Sequence, residues 1–300
     1  MGVRFFAEPQ LRRPDMVVGW PGIGNIGVVT VDTLRQSIDA DELGEIEPWD
    51  FFYPSKVIIR SCILRDMEFP GNKFYYKRLP DRDLVLFVAE EQPSGGGRVY
   101  AEGSEAYRMA NLVLDVAEKF GCHRIYTSGA AVAQTHHDAR SRVWAVATDR
   151  GMLAEVRQQA NTVPMSEVEG RGDLGSITGL NGLIIGAARK RGFEGMCLMG
   201  EIPDYLSRVP FPYPRASRSV LEVLAALLGV TIDYRPVDEM TEQMANVVGN
   251  VFQQFPENVR QRIEQRRKAL DALPGEITED DERWLKDHID DFFRQGEKGQ

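Results

Sequence analysis

The sequence predicts an α/β domain followed by an acidic helical extension. Three observations carry that expectation. A short apolar run, Met16–Trp20, passes through a glycine-rich turn into a helical pattern, the strand–turn–helix of an α/β unit. Strand-like and amphipathic helical runs then continue as far as Tyr234. From Val237 onward only helical periodicity is left, and the charge balance shifts, with 15 acids and 9 bases in 237–300 against 30 and 27 in 1–236. Two parts are therefore expected, 1–236 and 237–300.

Taken in order, Met16–Trp20 reads as a buried strand, Pro21–Gly27 as a tight turn and Val28–Ile38 as a helix. Val57–Leu64, Lys73–Arg78 and Leu84–Ala89 read as strands. Pro70-Gly71-Asn72 and Pro80-Asp81 mark turns between them and no helical period intervenes, so a β-meander is expected. Ala106, Ala110, Val113, Ala117 and Phe120 repeat at helical spacing, which predicts a helix from about Ser104 with Gly121 as its C-cap. His123–Ser128 and Arg142–Thr148 read as strands, and Met152–Gln159 as a helix. Thr178–Arg191 is apolar nearly all round, a buried helix stopped by Gly192, and Gly195–Gly200 is the next strand. Ser219 and Glu222 have the spacing of a capping box for a helix ending at Gly229, and Thr231–Tyr234 reads as a last short strand.

In the extension, Met240, Met244, Val247, Val251 and Phe255 form one stripe. Pro256 opens a second helix, with Val259, Ile263 and Leu270 inside and Pro274-Gly275 at its end. Thr278 and Asp281 cap a third, whose stripe is Trp284, Leu285, His288, Ile289, Phe292 and Phe293. Burying each large side chain is worth roughly 1.5–3 kcal/mol, so these stripes are expected to pack on the chain's own core or on a partner.

Composition narrows the function classes. The 300 residues are 43% hydrophobic and 27% charged, as in globular proteins, with a net charge of −9. No basic excess is present to displace phosphate counterions, so a nucleic-acid partner is not expected. Cys62, Cys122 and Cys197 are scattered, with no CxxC, so neither a disulfide framework nor a zinc site is indicated. The opening residues carry no signal-peptide run, and the longest apolar stretch, around Val220–Val230, is too short for a bilayer. A cytoplasmic chain with no membrane partner is the expectation.

Several segments carry side chains capable of chemistry. Gly22-Ile23-Gly24-Asn25-Ile26-Gly27 matches G-x-G-x-x-G after a strand and ahead of a helix, with Glu45 and Glu47 about 20 residues on. Pro21 before the first glycine, and a meander in place of a second βαβ unit, argue against a dinucleotide. Two readings stay open: a tight turn that needs positive φ and close approach, or a helix N-terminus whose amides suit an anion. In Thr135-His136-His137-Asp138 the neighbouring histidines would face opposite ways on a strand, and no HExxH is present, so a polar loop or interface position is expected rather than a metal site. Glu90, Glu91 and Ser94 precede Gly95–Gly97 at a strand end, where ligands gather in open α/β sheets, as a general acid or as a flexible loop. Ser128-Gly129 lacks the G-x-S-x-G of a nucleophile elbow. Glu201–Tyr205 follows a strand, ahead of a loop stiffened by Pro210, Pro212 and Pro214. No cofactor is expected.

An ordered set of these segments resembles the PAC2 family of proteasome-assembly-chaperone-like proteins. The set is Gly19-Trp20-Pro21-Gly22-Ile23-Gly24-Asn25-Ile26-Gly27, then Ser128-Gly129 to Thr135-His136, then Ile177–Leu183, then Gly200-Glu201 before the proline-rich loop. It runs through roughly Met16 to Val230. The resemblance implies a three-layer α/β/α sandwich, phosphorylase/hydrolase-like, and homo-oligomers. In some members it implies help in assembling the α-ring of the 20S proteasome. An older label ties the family to ATP-grasp ligases, but no lysine-bearing nucleotide clamp or magnesium-ligand pair stands here. The last residues, Glu297-Lys298-Gly299-Gln300, also differ from the hydrophobic-tyrosine tail with which several proteasome-binding chaperones dock.

The leading expectation is a non-catalytic oligomeric chaperone or scaffold with proteasome subunits as possible partners. The alternative is an enzyme or a nucleoside- or phosphate-like small-molecule binder that uses the Gly22–Gly27 pocket. If the family fold holds, Gly22, Gly24, Asn25, Gly27, His136, Asn181 and Glu201 line that pocket. Asn25 would donate to an anion, His136 would act as acid or base near neutral pH, and Glu201 would accept from a sugar hydroxyl.

Overall fold

In the computed structural model, which describes residues 2–93, 103–168 and 175–271, the elements run as follows. First come β1 (Val3–Phe5), β2 (Asp15–Gly19), α1 (Ile26–Ser37), β3 (Asp41–Ile46), β4 (Lys56–Arg60), β5 (Ile63–Glu68), β6 (Asn72–Lys77) and β7 (Leu84–Ala89). Next are α2 (Gly103–Lys119), β8 (Arg124–Ala133), β9 (Val143–Ala147), α3 (Arg150–Arg157), β10 (Thr162–Pro164), α4 (Leu180–Lys190) and β11 (Glu194–Pro203). The helices α5 (Pro214–Leu228), α6 (Arg235–Gln253) and α7 (Glu257–Asp271) close the described chain. Two compact units divide it, Met1–Phe255 and Pro256–Gln300.

Among the described residues, nine strands of the first unit form one sheet in the order β1-β3-β6-β7-β2-β8-β11-β9-β10. Its centre is parallel: β7, β2, β8 and β11 run the same way, and β8 pairs with β11 over ten residues. Such strands are buried on both faces and read as continuous apolar runs. Thus Met16, Val18, Val85 and Phe87 point to one side, and Val17, Leu84 and Leu86 to the other. Helices α2 and α4 cover the first side, through residues such as Met109, Val113 and Ile184. Helices α1, α3 and α5 cover the second, through Val31, Met152 and Leu221. The expected three-layer α/β/α sandwich is therefore the fold.

The turn residues act as their chemistry dictates. Gly121, Gly192 and Gly229, expected as helix stops, lie at φ 70°, 86° and 68°. Asp149 caps α3 by accepting from the amides of Gly151 and Met152.

The structure corrects four local expectations. Val57–Leu64 is not one strand: Ser61 and Cys62, at φ 52° and 61°, turn the chain so that β4 and β5 form a hairpin. The meander is β3-β6-β7, with that hairpin inserted in it. Ser219 and Glu222 are no capping box, because α5 already starts at Pro214; Ser219 is buried inside the helix and Glu222 pairs with Arg218 and Arg140. Proline at the first helical position is itself a start signal, since its missing N–H is not needed there. Thr231–Tyr234 is not a strand but a loop, fixed by the Ser37 hydroxyl, which accepts from the Asp233 amide.

Helix α6 packs on α5 and turns Val237, Val248 and Phe252 inward, about a third of a turn from the expected stripe. The third expected helix, with Trp284 to Phe293, lies outside the described residues, as do Ser94 and Gly95–Gly97. Among the described residues, no helix is long and apolar enough to cross a membrane.

Candidate functional site

Because β2, β7, β8 and β11 are parallel, their carboxyl ends share one edge of the sheet, the usual place for a site in such folds. The glycine-rich segment sits there. Gly24 has φ 60° and Asn25 φ 49°, and a single 3-10 turn, Ile23–Asn25, leads into α1. The Asn25 side chain makes no cap hydrogen bond to α1. Gly27 lets α1 lie directly on β8. A Cβ built there would stand 2.5 Å from the Ser128 carbonyl oxygen and 2.8 Å from that of Trp20. Both oxygens are backbone and cannot swing aside. Gly27→Ala should therefore destabilise the protein by about 1–3 kcal/mol, read as a shift of the urea midpoint. An unchanged midpoint would mean that α1 does not sit this close to β8.

Below this turn lies a cavity of about 280 Å³. Gly22, Gly27 and Asn181 line it, together with Trp20, Gln92 and Thr178. Among the described residues, every lining side chain is uncharged. The Trp20 Nε1 donor and the Asn181 Oδ1 acceptor at its wall are buried and make no hydrogen bond among the described residues. Cys197 also lines it, and burial pushes that thiol up to about 11, so it stays neutral at pH 7.

The remaining expected residues are distributed elsewhere. Gly24 and Asn25 face a separate open groove, which also borders Gly22 and holds Glu90, Glu91 and Arg208 of the proline-rich loop. Glu201 is 2% exposed and ties β11 to β9. Its Oε1 accepts from Arg142 Nε at 3.0 Å and from Trp144 Nε1 at 2.7 Å, and its Oε2 accepts from the Arg142 amide at 3.3 Å.

His136 is buried on the side where β8 ends. The segment is the expected polar loop, but its two histidine rings face each other rather than opposite ways. They are not in a strand but in a turn closed by the Ala139 amide on the His136 carbonyl, and their rings stack at 4.1 Å. Phe252 of α6 packs on both rings, at 6.2 and 5.0 Å. Tyr205 meets His137 Nδ1 at 2.8 Å, and the Tyr213 hydroxyl donates to the His137 carbonyl at 3.2 Å. Burial pushes the Tyr213 phenol up, which keeps that donor protonated. Metal-ligating atoms of His136, His137 and Asp138 lie within 4.8 Å of one another. His136 Nδ1 accepts from the Asp138 amide and His137 Nδ1 meets Tyr205, so both δ nitrogens already bond to protein.

The structure thus brings Gly22, Gly27 and Asn181 together, sets Gly24 and Asn25 on a neighbouring groove, and places His136 and Glu201 in separate polar clusters. Trp20, Gln92 and Thr178 were missed as lining residues. Trp20 stood inside the quoted glycine motif, and a tryptophan at the end of a buried strand was the available signal.

Comparison with known proteins gives the following. The sequence model of the PAC2 family matches residues 16–251. An uncharacterized protein of Methanocaldococcus jannaschii is 24% identical over 271 residues, 90% of this chain and 91% of that one. Among solved structures, that of Pyrococcus furiosus PbaB, an archaeal proteasome activator, is similar at a TM-score of 0.68 and 25% identity, covering 83% of this chain and 97% of PbaB. Pyrococcus furiosus PbaA, an archaeal homolog of proteasome-assembly chaperone, shares the fold at a TM-score of 0.59 and 19% identity, over 89% and 99% of the two chains.

Proposed function

This chain belongs to the PAC2 family, and from that membership we propose that it is a non-catalytic, oligomeric assembly chaperone or scaffold of the cytoplasm whose partners are proteasome subunits. The observation that carries this reading is the similarity to the archaeal proteasome activator PbaB along nearly all of that protein. Two buried polar clusters near the sheet edge support it, because they serve the packing. Glu201 clamps Arg142 and Trp144, and His137 is held between Tyr205 and Phe252. The test is affinity capture of the tagged protein from its own cells at mild salt, beside an untagged control. Proteasome α-subunits in stoichiometric amount are the expected result. Repeated recovery of the bait alone would overturn the reading.

A second reading rests on the cavity. A buried indole donor and a buried amide acceptor, on a wall whose described side chains are all uncharged, suit a small neutral ligand with both a hydrogen-bond acceptor and a donor, such as a nucleobase or nucleoside, better than a phosphate. Gly22, Gly27 and Asn181 would be its contacts. In a thermal-shift screen, such a compound at 100 times its Kd should add about 2.7 kcal/mol of stability, while inorganic phosphate should add none. A flat response to nucleobases and nucleosides would remove this reading and leave the first untouched.

A further inference from the structure

Between β3 and β6 the chain leaves the main sheet, and among the described residues β4 and β5 pair only with each other. An isolated two-stranded hairpin is marginal in water, so this arm needs a surface to lie on. Its register shows which side does so. The cross-strand pairs Val57–Met67 and Ile59–Leu64 put four apolar side chains on one face. The pairs Lys56–Glu68, Ile58–Asp66 and Arg60–Ile63 occupy the other, and Lys56 and Glu68 form an ion pair at 2.9 Å. A bulge makes the separation possible. The register shifts between Ile58 and Ile59, so Arg65 is passed over and Leu64 stands opposite Ile59. In an unbroken register, Arg65 would interrupt the apolar face.

That face is open to water. Its side chains run from 38% exposed at Met67 to 65% at Leu64. Met67 also borders a groove with Trp49 and Tyr53, which are 62% and 94% exposed, so the apolar surface continues beyond the hairpin. Contiguous exposed apolar patches of this extent mark interaction sites.

We infer that this face of the β4–β5 arm is where one copy of the chain packs on another. The inference rests on the oligomeric part of the proposed reading and gives it a surface. Charge favours a second copy. The protein carries −9, yet 49–69 holds Lys56, Arg60 and Arg65 against Asp50, Asp66 and Glu68, a net of zero. Two copies of an acidic protein repel least where their surfaces are neutral, and an uncharged apolar face complements itself about a twofold axis. Area agrees. The exposed parts of Val57, Ile59, Leu64, Met67, Trp49 and Tyr53 come to on the order of 700 Å² per copy, near the roughly 800 Å² per partner of a stable interface.

Sedimentation velocity of the full chain over a range of concentrations tests this. The wild type should sediment as a species heavier than its 33.8 kDa chain. Ile59→Asp together with Leu64→Asp should raise the dissociation concentration by on the order of a hundredfold, and each single change should act in the same direction. Arg60→Gln, on the opposite face, should leave the assembly intact. Far-UV circular dichroism checks that every variant is folded, which is expected because these side chains are exposed in the single chain. A monomeric wild type would overturn the inference together with the oligomeric reading, and would mean that another protein or another part of the chain covers the face. Folded double variants that still assemble like the wild type would overturn the assignment of the face alone.

Discussion

Glu201→Ala should lower the stability of the protein by about 3 kcal/mol, the low end of what removing one partner from a buried ion pair does. The carboxylate is buried, while the outer half of Arg142 is wet, which moderates the loss. The change removes the acceptor for Arg142 Nε, for the Arg142 amide and for Trp144 Nε1 at once. These bonds link β11 to β9, beyond which, among the described residues, only β10 remains in the sheet. Glu201→Gln keeps the shape and one acceptor oxygen for Trp144, so its loss should be clearly smaller. Denaturant midpoints of the three proteins, with slopes compared, measure this. Equal midpoints for wild type and Glu201→Ala would refute the clamp, and equal losses in both variants would assign the effect to the Arg142 charge pair.

Phe87→Ala should cost about 3–5 kcal/mol, as for other buried aromatics cut back to alanine. The Phe87 ring is fully buried in the central strand β7, with centroids 4.7 Å from Phe74 and 5.2 Å from Trp20. Trp20 in turn forms part of the cavity wall. The variant should therefore lose stability and also any nucleoside-induced thermal shift, whereas Phe87→Leu should lose less than about 1.5 kcal/mol. A Phe87→Ala protein as stable as the wild type would mean that this aromatic cluster contributes little to the core.

The layered α/β architecture was legible because its central strands are apolar on both faces and its helices are amphipathic. Strand β2, the turn and α1 fell almost where the pattern put them. Other elements carried weaker signals. Strand β8 runs five residues past Ser128, yet Gly129, Ala130 and Ala131 have low strand preference and are held by pairing with β11. Strand β3, Asp-Glu-Leu-Gly-Glu-Ile, is polar because it lies near the edge of the sheet. The β4–β5 turn uses Ser61 and Cys62 at positive φ, where sequence reasoning looks for glycine or asparagine.

At the site, the role of the glycines was readable from spacing, since Gly24 adopts positive φ and Gly27 permits close approach. The grouping was not. Which of Asn181, His136 and Glu201 reaches the turn depends on how strands far apart in sequence lie side by side. The stacking of His136 on His137 depends on the conformation of a local turn, which a polar loop segment does not specify.

The order of the strands also sets a timetable for synthesis. Strand β2 leaves the ribosome before its neighbours β7 and β8, which begin at Leu84 and Arg124, and the long partner of β8 begins only at Glu194. At typical elongation rates of about 5–20 residues per second, the strand ending at Gly19 waits roughly 5–20 s for β8. During that interval Met16, Val17 and Val18 belong to a nascent chain with an unfilled sheet position on one side. In a protein with this topology β2 gains its sheet neighbours only after β7 and β8 have been made. Slowing translation between Gly19 and Arg124 would lengthen the period in which that strand can mispair.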